Sequence, residues 1–132
     1  MKVIIDTNVL ISAALRNGLP ESVILHIVAE PMVEWLASAE IMTEYQAVIA
    51  RPVFGFSASK LGRWRGLLAD SVKIVPVKLQ LVFFRDHKDA KFLACAAETG
   101  ADFLITGDRD FSEAPAIPGC RIVTVREFAN LL

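Results

Sequence analysis

A short apolar run at the start of the chain stops abruptly at polar residues, and this feature constrains the fold most. Val3-Ile4-Ile5 is followed by Asp6-Thr7-Asn8, and apolar residues then resume at helical spacing from Val9. The pattern predicts a buried strand with a polar carboxyl end that leads directly into a helix. Two interpretations of Asp6 stay open: it caps that helix, or it belongs to a binding site beyond the carboxyl ends of parallel strands.

The rest of the chain alternates short apolar runs with helical patterns, which is typical of an α/β domain. Further strands are predicted over 33–36, 72–77, 102–106 and 121–125, and Pro76 favours a sheet edge for the 72–77 strand. Helices are predicted over 9–15, 20–29, 39–50, from Ser57 or Ser59 to about 71, 90–99 and 127–132. The expected fold is a single three-layer α/β/α domain over residues 1–132, with a mostly parallel sheet of four to five strands.

Composition argues against several classes of protein. Hydrophobic residues make up 54% and charged residues 22% of the 132 residues, which is unlike a disordered chain. No apolar run approaches the roughly 18 residues of a membrane span, and no leader pattern opens the chain. Cys95 and Cys120 lack metal-type spacing and are expected to be buried free thiols, so we expect a cytoplasmic protein. The net charge of −1 gives no global basic field for nucleic acid.

Acidic residues recur at positions that the predicted fold brings to one edge of the sheet. The strand over 102–106 runs into Gly107-Asp108 much as the first strand runs into Asp6, and the carboxyl ends of parallel strands share an edge. Asp89 opens the helix before that strand, so a right-handed crossover places it at the same edge. Glu44 lies in the second turn of a helix that follows a strand. We therefore expect four carboxylates to meet.

Four carboxylates in one place repel each other and raise one another's pKa unless a cation is present. Mg²⁺ and Mn²⁺ prefer carboxylate and water oxygens and leave positions open for a phosphate. The arrangement is suited to metal-assisted hydrolysis of a phosphodiester. The two histidines, His26 and His87, do not lie in a nucleophile motif.

At these residues the sequence resembles the PIN-domain nucleases, in particular the PIN-type toxins of prokaryotic toxin–antitoxin modules. The resemblance covers essentially the whole chain, and the order of its motifs makes it specific. Its carriers are Ile5-Asp6-Thr7-Asn8-Val9-Leu10, Ser38 with Glu44, Asp89-Ala90 before a helix of small residues, and Thr106-Gly107-Asp108-Arg109-Asp110-Phe111.

The resemblance implies a catalytic set, a cofactor and partners. Asp6, Glu44, Asp89 and Asp108 match the family's acidic metal ligands, with Asp110 as a fifth candidate. Asn8 and Thr106 match positions that orient ligands or water. The implied activity is a Mg²⁺- or Mn²⁺-dependent endoribonuclease that acts on RNA, forms a homodimer and is inhibited by a cognate antitoxin protein.

Several acids have a second interpretation. Asp86 precedes Asp89 by three residues and is either an alternative ligand or a loop acid. Asp110 either binds metal or caps a turn at Phe111. Asp102 precedes its strand, so it should face the opposite edge and be structural.

Basic residues supply candidates for contacts with the RNA backbone. Lys60, Arg63 and Arg65 form the densest basic patch, and Arg16 is nearer to Asp6 in sequence. The patch is alternatively an ordinary solvated helix face. Trp64, among these cations, is interpreted as stacking on a base or as a dimer contact.

Other functions compete with the nuclease. A dehalogenase-like phosphatase requires a second Asp two residues after the first, but this position is Asn8. A receiver domain requires a later Lys after an apolar strand. Both match the sequence less well. A PIN-fold binding or scaffold module without catalysis and a stand-alone RNA-processing nuclease remain as alternatives.

Overall fold

The computed structural model of the chain describes residues 1–78, 89–107 and 117–132. The strands are β1 (Lys2–Ile5), β2 (Glu34–Ala37), β3 (Val72–Ile74), β4 (Phe103–Ile105) and β5 (Arg121–Val123). The helices are α1 (Thr7–Leu15), α2 (Leu19–Ala29), α3 (Ala39–Ile49), α4 (Ala58–Ser71), α5 (Ala90–Thr99) and α6 (Val125–Ala129), with a 3-10 turn at Pro52–Phe54. Among these helices, none is long and apolar enough to cross a membrane.

The five strands form one parallel sheet in the order β3-β2-β1-β4-β5, which confirms the predicted α/β/α fold class. β3 lies at an edge, as predicted, and β1 lies at the centre. Ile5 pairs with Ile105 across β1 and β4, so the residues that follow them, Asp6 and Thr106, leave the sheet side by side. The polar residues that follow β1 and β4 therefore lie at the same edge of the sheet.

The core surrounds the central strand. Val3, Ile4 and Ile5 are fully buried, because a central parallel strand is covered on both faces and reads as a continuous apolar run. Helices contribute the rest of the packing, with large buried side chains such as Ile24, Phe92 and Phe128.

The ends of several elements differ from the prediction, and local capping explains most of the differences. α1 begins at Thr7 because Asp6 is its N-cap. Ser57, not Ser59, caps α4 by accepting from the Lys60 N–H at 3.1 Å. α6 begins at Val125, two residues before the prediction, because Thr124 and Glu127 form a capping box. The strands predicted over 72–77, 102–106 and 121–125 are shorter, and the polar run 85–89 is described only at its last residue.

Trp64 lies in the core, so both of its predicted roles are wrong. Its side chain is only 5% exposed and packs in the same cluster as Leu68, one helical turn further along α4. α4 packs against β3. Arg63 and Arg65, on either side of Trp64 in the sequence, are exposed. Within this chain Trp64 is therefore neither a platform for a base nor a dimer contact.

We predict that Trp64→Ala lowers the free energy of unfolding by about 3–5 kcal/mol, as expected when a large aromatic side chain is removed from a core. Urea unfolding followed by circular dichroism measures the loss. Arg63→Ala, its exposed neighbour, is the control and should change the value by no more than about 0.5 kcal/mol. A Trp64→Ala variant as stable as the control would contradict the packing described here.

Candidate active site

Asp6 is a buried carboxylate at the carboxyl end of the central strand. Its side chain is 2% exposed. The Thr106 hydroxyl donates to Asp6 Oδ2 at 2.7 Å, and the Asn8 backbone N–H donates to Asp6 Oδ1 at 3.5 Å. Because Asp6 is also the N-cap of α1, the positive end of the helix dipole favours its negative charge. The structure thus confirms that Asp6 caps α1, and its membership of a binding site stays a prediction.

Glu44 contacts Thr7, the residue that follows Asp6, and has a partner on each carboxylate oxygen. The Thr7 hydroxyl donates to Glu44 Oε2, and Lys91 Nζ lies 2.8 Å from Glu44 Oε1. The Glu44 side chain is 28% exposed and that of Lys91 only 12%. These contacts join three separate elements, because Thr7 begins α1, Glu44 lies on α3 and Lys91 lies in the first turn of α5.

Asp89 is the N-cap residue of α5 and is buried, 8% exposed. It lies two residues before Lys91, so the ion pair between Lys91 and Glu44 ties the start of α5 to the edge where Asp6 lies. The structure therefore brings Asp6 and Glu44 to that edge, together with the helix start that carries Asp89. Asp86, Asp108 and Asp110 lie outside the described residues.

The chemistry of the donors fits a hard divalent cation. Asp6 and Glu44 offer carboxylate oxygens, which Mg²⁺ and Mn²⁺ prefer. Within residues 1–78, 89–107 and 117–132, no three His, Cys, Asp or Glu side chains are close enough together to hold an ion. Burial raises the pKa of the Cys95 thiol to about 11. The site thus has the donor type of an oxygen-ligated cation.

The Tyr45 hydroxyl holds α3 against the end of β1. It donates to the Ile5 carbonyl, the residue before Asp6, and accepts from Trp35 Nε1 at 3.3 Å. Burial raises the pKa of Tyr45 far above its ordinary value, and the charges of Asp6 and Glu44 act in the same direction. The hydroxyl therefore stays protonated and remains a donor.

Two contributors were missed by the sequence analysis, namely the Tyr45 hydroxyl and the Lys91 ammonium group. One signal was present for Lys91: a lysine in the first turn of a helix opposes the helix dipole, which suggests that a carboxylate compensates for it.

The predicted substrate-binding cations lie at the end of α1 and on α4. Arg16 is the C-cap of α1, nine residues along from the helix start at Thr7, and this corresponds to roughly 14 Å. On α4, Lys60 Nζ lies 4.9 Å from the centroid of the Phe56 ring, while Arg63 and Arg65 are exposed.

Asn8, His26 and Asp102, three further residues of the sequence analysis, lie within the described ranges. The side chain of Asn8 is exposed, and only its backbone N–H contacts Asp6. His26 is exposed on α2, as expected for a helix-surface residue. Asp102 accepts from the Lys2 N–H at 2.8 Å at the opposite edge of the sheet, which confirms its structural role.

A groove of about 300 Å³ opens beside the strand ends. Two polar side chains and three apolar ones line it together with a glycine, namely Asn8, Ser12, Val9, Pro20, Val125 and Gly107. Gly107 directly precedes Asp108 in the chain. Asn8 and Gly107 follow the ends of β1 and β4, so the groove lies at the carboxyl edge of the sheet, and its mixed lining suits a ligand with polar and apolar parts.

Comparison with known families identifies the family of this chain. A family model described as the PIN domain matches residues 2–110. The chain belongs to the PIN-domain family. PIN domains are generally nucleases and generally depend on divalent metal ions, which supports a hydrolytic activity for this one. The matched range includes Asp6, Glu44, Asp89 and Asp108, so the family that the sequence resembles is confirmed.

A solved structure has the same fold. The PIN domain is similar to a chain in the crystal structure of VapBC2 from Rickettsia felis bound to a DNA fragment from their promoter. The TM-score is 0.65, and the match covers 94% of this chain and 98% of that chain at 12% sequence identity. At this identity the likeness shows the fold alone. No curated protein sequence matches significantly.

We predict that Tyr45→Phe lowers the free energy of unfolding by about 1–3 kcal/mol, because Trp35 Nε1 and the Ile5 carbonyl both lose a buried partner. Chemical denaturation measures the change. Thr99→Val is the control, since it removes a hydroxyl that bonds only within α5, to the Cys95 carbonyl at 2.7 Å. A loss no larger than that of the control would show that the hydroxyl does not hold α3 to β1.

Proposed function

We propose that this PIN domain is a Mg²⁺- or Mn²⁺-dependent endoribonuclease whose metal ligands are Asp6, Glu44, Asp89 and Asp108, with Asp110 as a fifth candidate. One observation carries the proposal: a buried carboxylate, Asp6, is held at the tip of the central strand and is linked through Thr7 to a second acid, Glu44. A carboxylate buried at a strand tip is costly unless it is paired or binds a cation. Family membership supports the nuclease assignment.

Each residue has a defined task in this proposal. Asp6 and Glu44 offer oxygens to the cation, and the Thr106 hydroxyl fixes the orientation of the Asp6 carboxylate at 2.7 Å. The cation, when bound, lowers the pKa of the attacking water and neutralises charge on the phosphate. Asn8, which lines the groove, is placed to orient water or the substrate.

RNA is the proposed substrate, and the groove beside Asn8 and Gly107 is its proposed path to the acids. Arg63 and Arg65 are exposed cations that can hold backbone phosphates further along the chain of nucleotides. Lys60 and Arg16 are weaker candidates, because Lys60 contacts the Phe56 ring and Arg16 lies at the far end of α1.

The chain is further proposed to be the toxin of a toxin–antitoxin module, one domain over residues 1–132 that forms a homodimer and binds a cognate antitoxin. The fold likeness to a chain of VapBC2 supports this. Exposed apolar side chains on and after α2, at Leu25, Val28 and Met32, support a protein partner. A neighbouring short gene for a repressor-like protein would favour the toxin over a stand-alone RNA-processing nuclease.

We predict that purified protein cleaves single-stranded RNA with Mn²⁺ or Mg²⁺, and that Asp6→Asn abolishes cleavage while the chain stays folded. Asp102→Asn is the matched control, because it changes an acid at the opposite edge of the same sheet. Cleavage of a fluorescent RNA set is measured after chelation and return of the metal. If neither cleavage nor divalent-ion binding by calorimetry is observed, the PIN-fold binding module replaces the nuclease.

We also predict that Thr106→Val lowers metal affinity or cleavage rate roughly 10–100-fold, the range observed when a group that orients a metal ligand is lost. Thr106→Ser keeps the hydroxyl and should retain most of the activity. Thr43→Val, an exposed threonine on α3, is the control. Full activity in Thr106→Val would remove Thr106 from the site.

A further inference from the structure

The Lys91–Glu44 ion pair occupies an oxygen that the proposed metal site needs. Glu44 Oε1 lies 2.8 Å from Lys91 Nζ, and Oε2 accepts from the Thr7 hydroxyl. We propose that Lys91 is a built-in cation that competes with the divalent metal for Glu44 and so weakens metal binding. This inference rests on the proposed function, because it assumes that Glu44 is a metal ligand.

Lys91 lies where a lysine is unfavourable without a carboxylate partner. It is the second residue of α5, where the helix dipole disfavours a positive charge. Its side chain is 12% exposed, so most of it is buried. The ammonium group also lies 5.2 Å from the centroid of the Phe92 ring. Contact with Glu44 offsets the cost of holding this charge at the site.

Lys91 and Thr7 contact the same carboxylate but affect a cation differently. Thr7 is neutral, so its hydrogen bond orients Glu44 without repelling a metal ion. Lys91 occupies the other oxygen and also repels a divalent cation that approaches it. Removing the charge of Lys91 should therefore raise metal affinity, whereas removing the Thr7 hydroxyl should not.

A role that was only structural would have the opposite sign. If Lys91 merely held Glu44 in position, its loss would disorder a ligand and weaken metal binding. Under competition, the same change destabilises the metal-free protein, because Glu44 loses its counter-charge, and strengthens metal binding. The two opposed effects in one variant distinguish competition from positioning.

The experiment is a calorimetric titration of the chelated full chain with MnCl₂. We expect Lys91→Met to bind Mn²⁺ about tenfold more tightly than the unmodified protein, because a unit positive charge close to the ligand is removed. Lys91→Arg keeps the charge and should bind like the unmodified protein. Lys73→Met, on the edge strand β3, makes the same change in net charge and should leave the affinity unchanged. Lys91→Gln repeats the test if the methionine variant does not fold.

Thermal unfolding in chelator provides a readout that needs neither metal nor activity. Lys91→Met should lower the melting temperature, and the same substitution in a Glu44→Gln background should lower it less, because the two groups interact. Addition of Mn²⁺ should then raise the melting temperature of Lys91→Met more than that of the unmodified protein.

The outcomes separate this inference from the proposed function. Equal or weaker Mn²⁺ binding by Lys91→Met, with clear binding by the unmodified protein, overturns the competition and leaves the nuclease proposal intact. An equal gain in Thr7→Val also overturns it, since freeing Glu44 would then be sufficient. Mn²⁺ binding that is detected for Lys91→Met and not for the unmodified protein supports the competition. Absence of binding by every variant overturns both proposals.

Discussion

The site depends on a negative charge buried at the end of the central strand. An isolated carboxylate at 2% exposure is costly, and Asp6 is tolerated because Thr106, the Asn8 N–H and the start of α1 surround it. Thr106 lies beside Asp6 because Ile5 pairs with Ile105 in the parallel sheet. A shift of that pairing by one residue would turn the side chains of β4 to the opposite faces. The strand register therefore determines whether the buried Asp6 carboxylate has Thr106 as its hydrogen-bond donor.

Different interactions stabilise Asp6, Asp89 and Glu44, the three acids of the proposed metal site that the structure describes. Asp6 has hydrogen bonds and the N-terminus of α1, Asp89 is the N-cap residue of α5, and Glu44 has an ammonium group. Hydrogen bonds and dipoles leave a carboxylate negative and attractive to a cation, whereas an ion pair neutralises it. The Lys91 ammonium group contacts Glu44 Oε1, so the availability of Glu44 to a metal depends on that side chain.

Local sequence patterns predicted the elements whose causes are local. The buried strand β1 reads as an apolar run, and α3 begins after Ser38, whose hydroxyl accepts from the Ile41 N–H at 3.1 Å. Trp64 was misjudged because its charged neighbours, one position away on a helix, point elsewhere and reveal nothing about its face. The contacts of Thr7 with Glu44 and of Tyr45 with Ile5 span 37 and 40 residues. Such pairings depend on the packed fold and leave no local pattern.

Glu44 and Tyr45 are consecutive on α3, yet one faces the charged edge and the other the core, because successive helical side chains point about 100° apart. The two roles reinforce each other. Burial first, and then the charges of Asp6 and Glu44, raise the pKa of Tyr45 and keep its hydroxyl a donor to Ile5. A cation that neutralised the acids would remove the smaller contribution and leave the effect of burial. The hydrogen bond from Tyr45 to the Ile5 carbonyl, which holds α3 to β1, therefore does not depend on whether the acids bind a metal or Glu44 contacts Lys91.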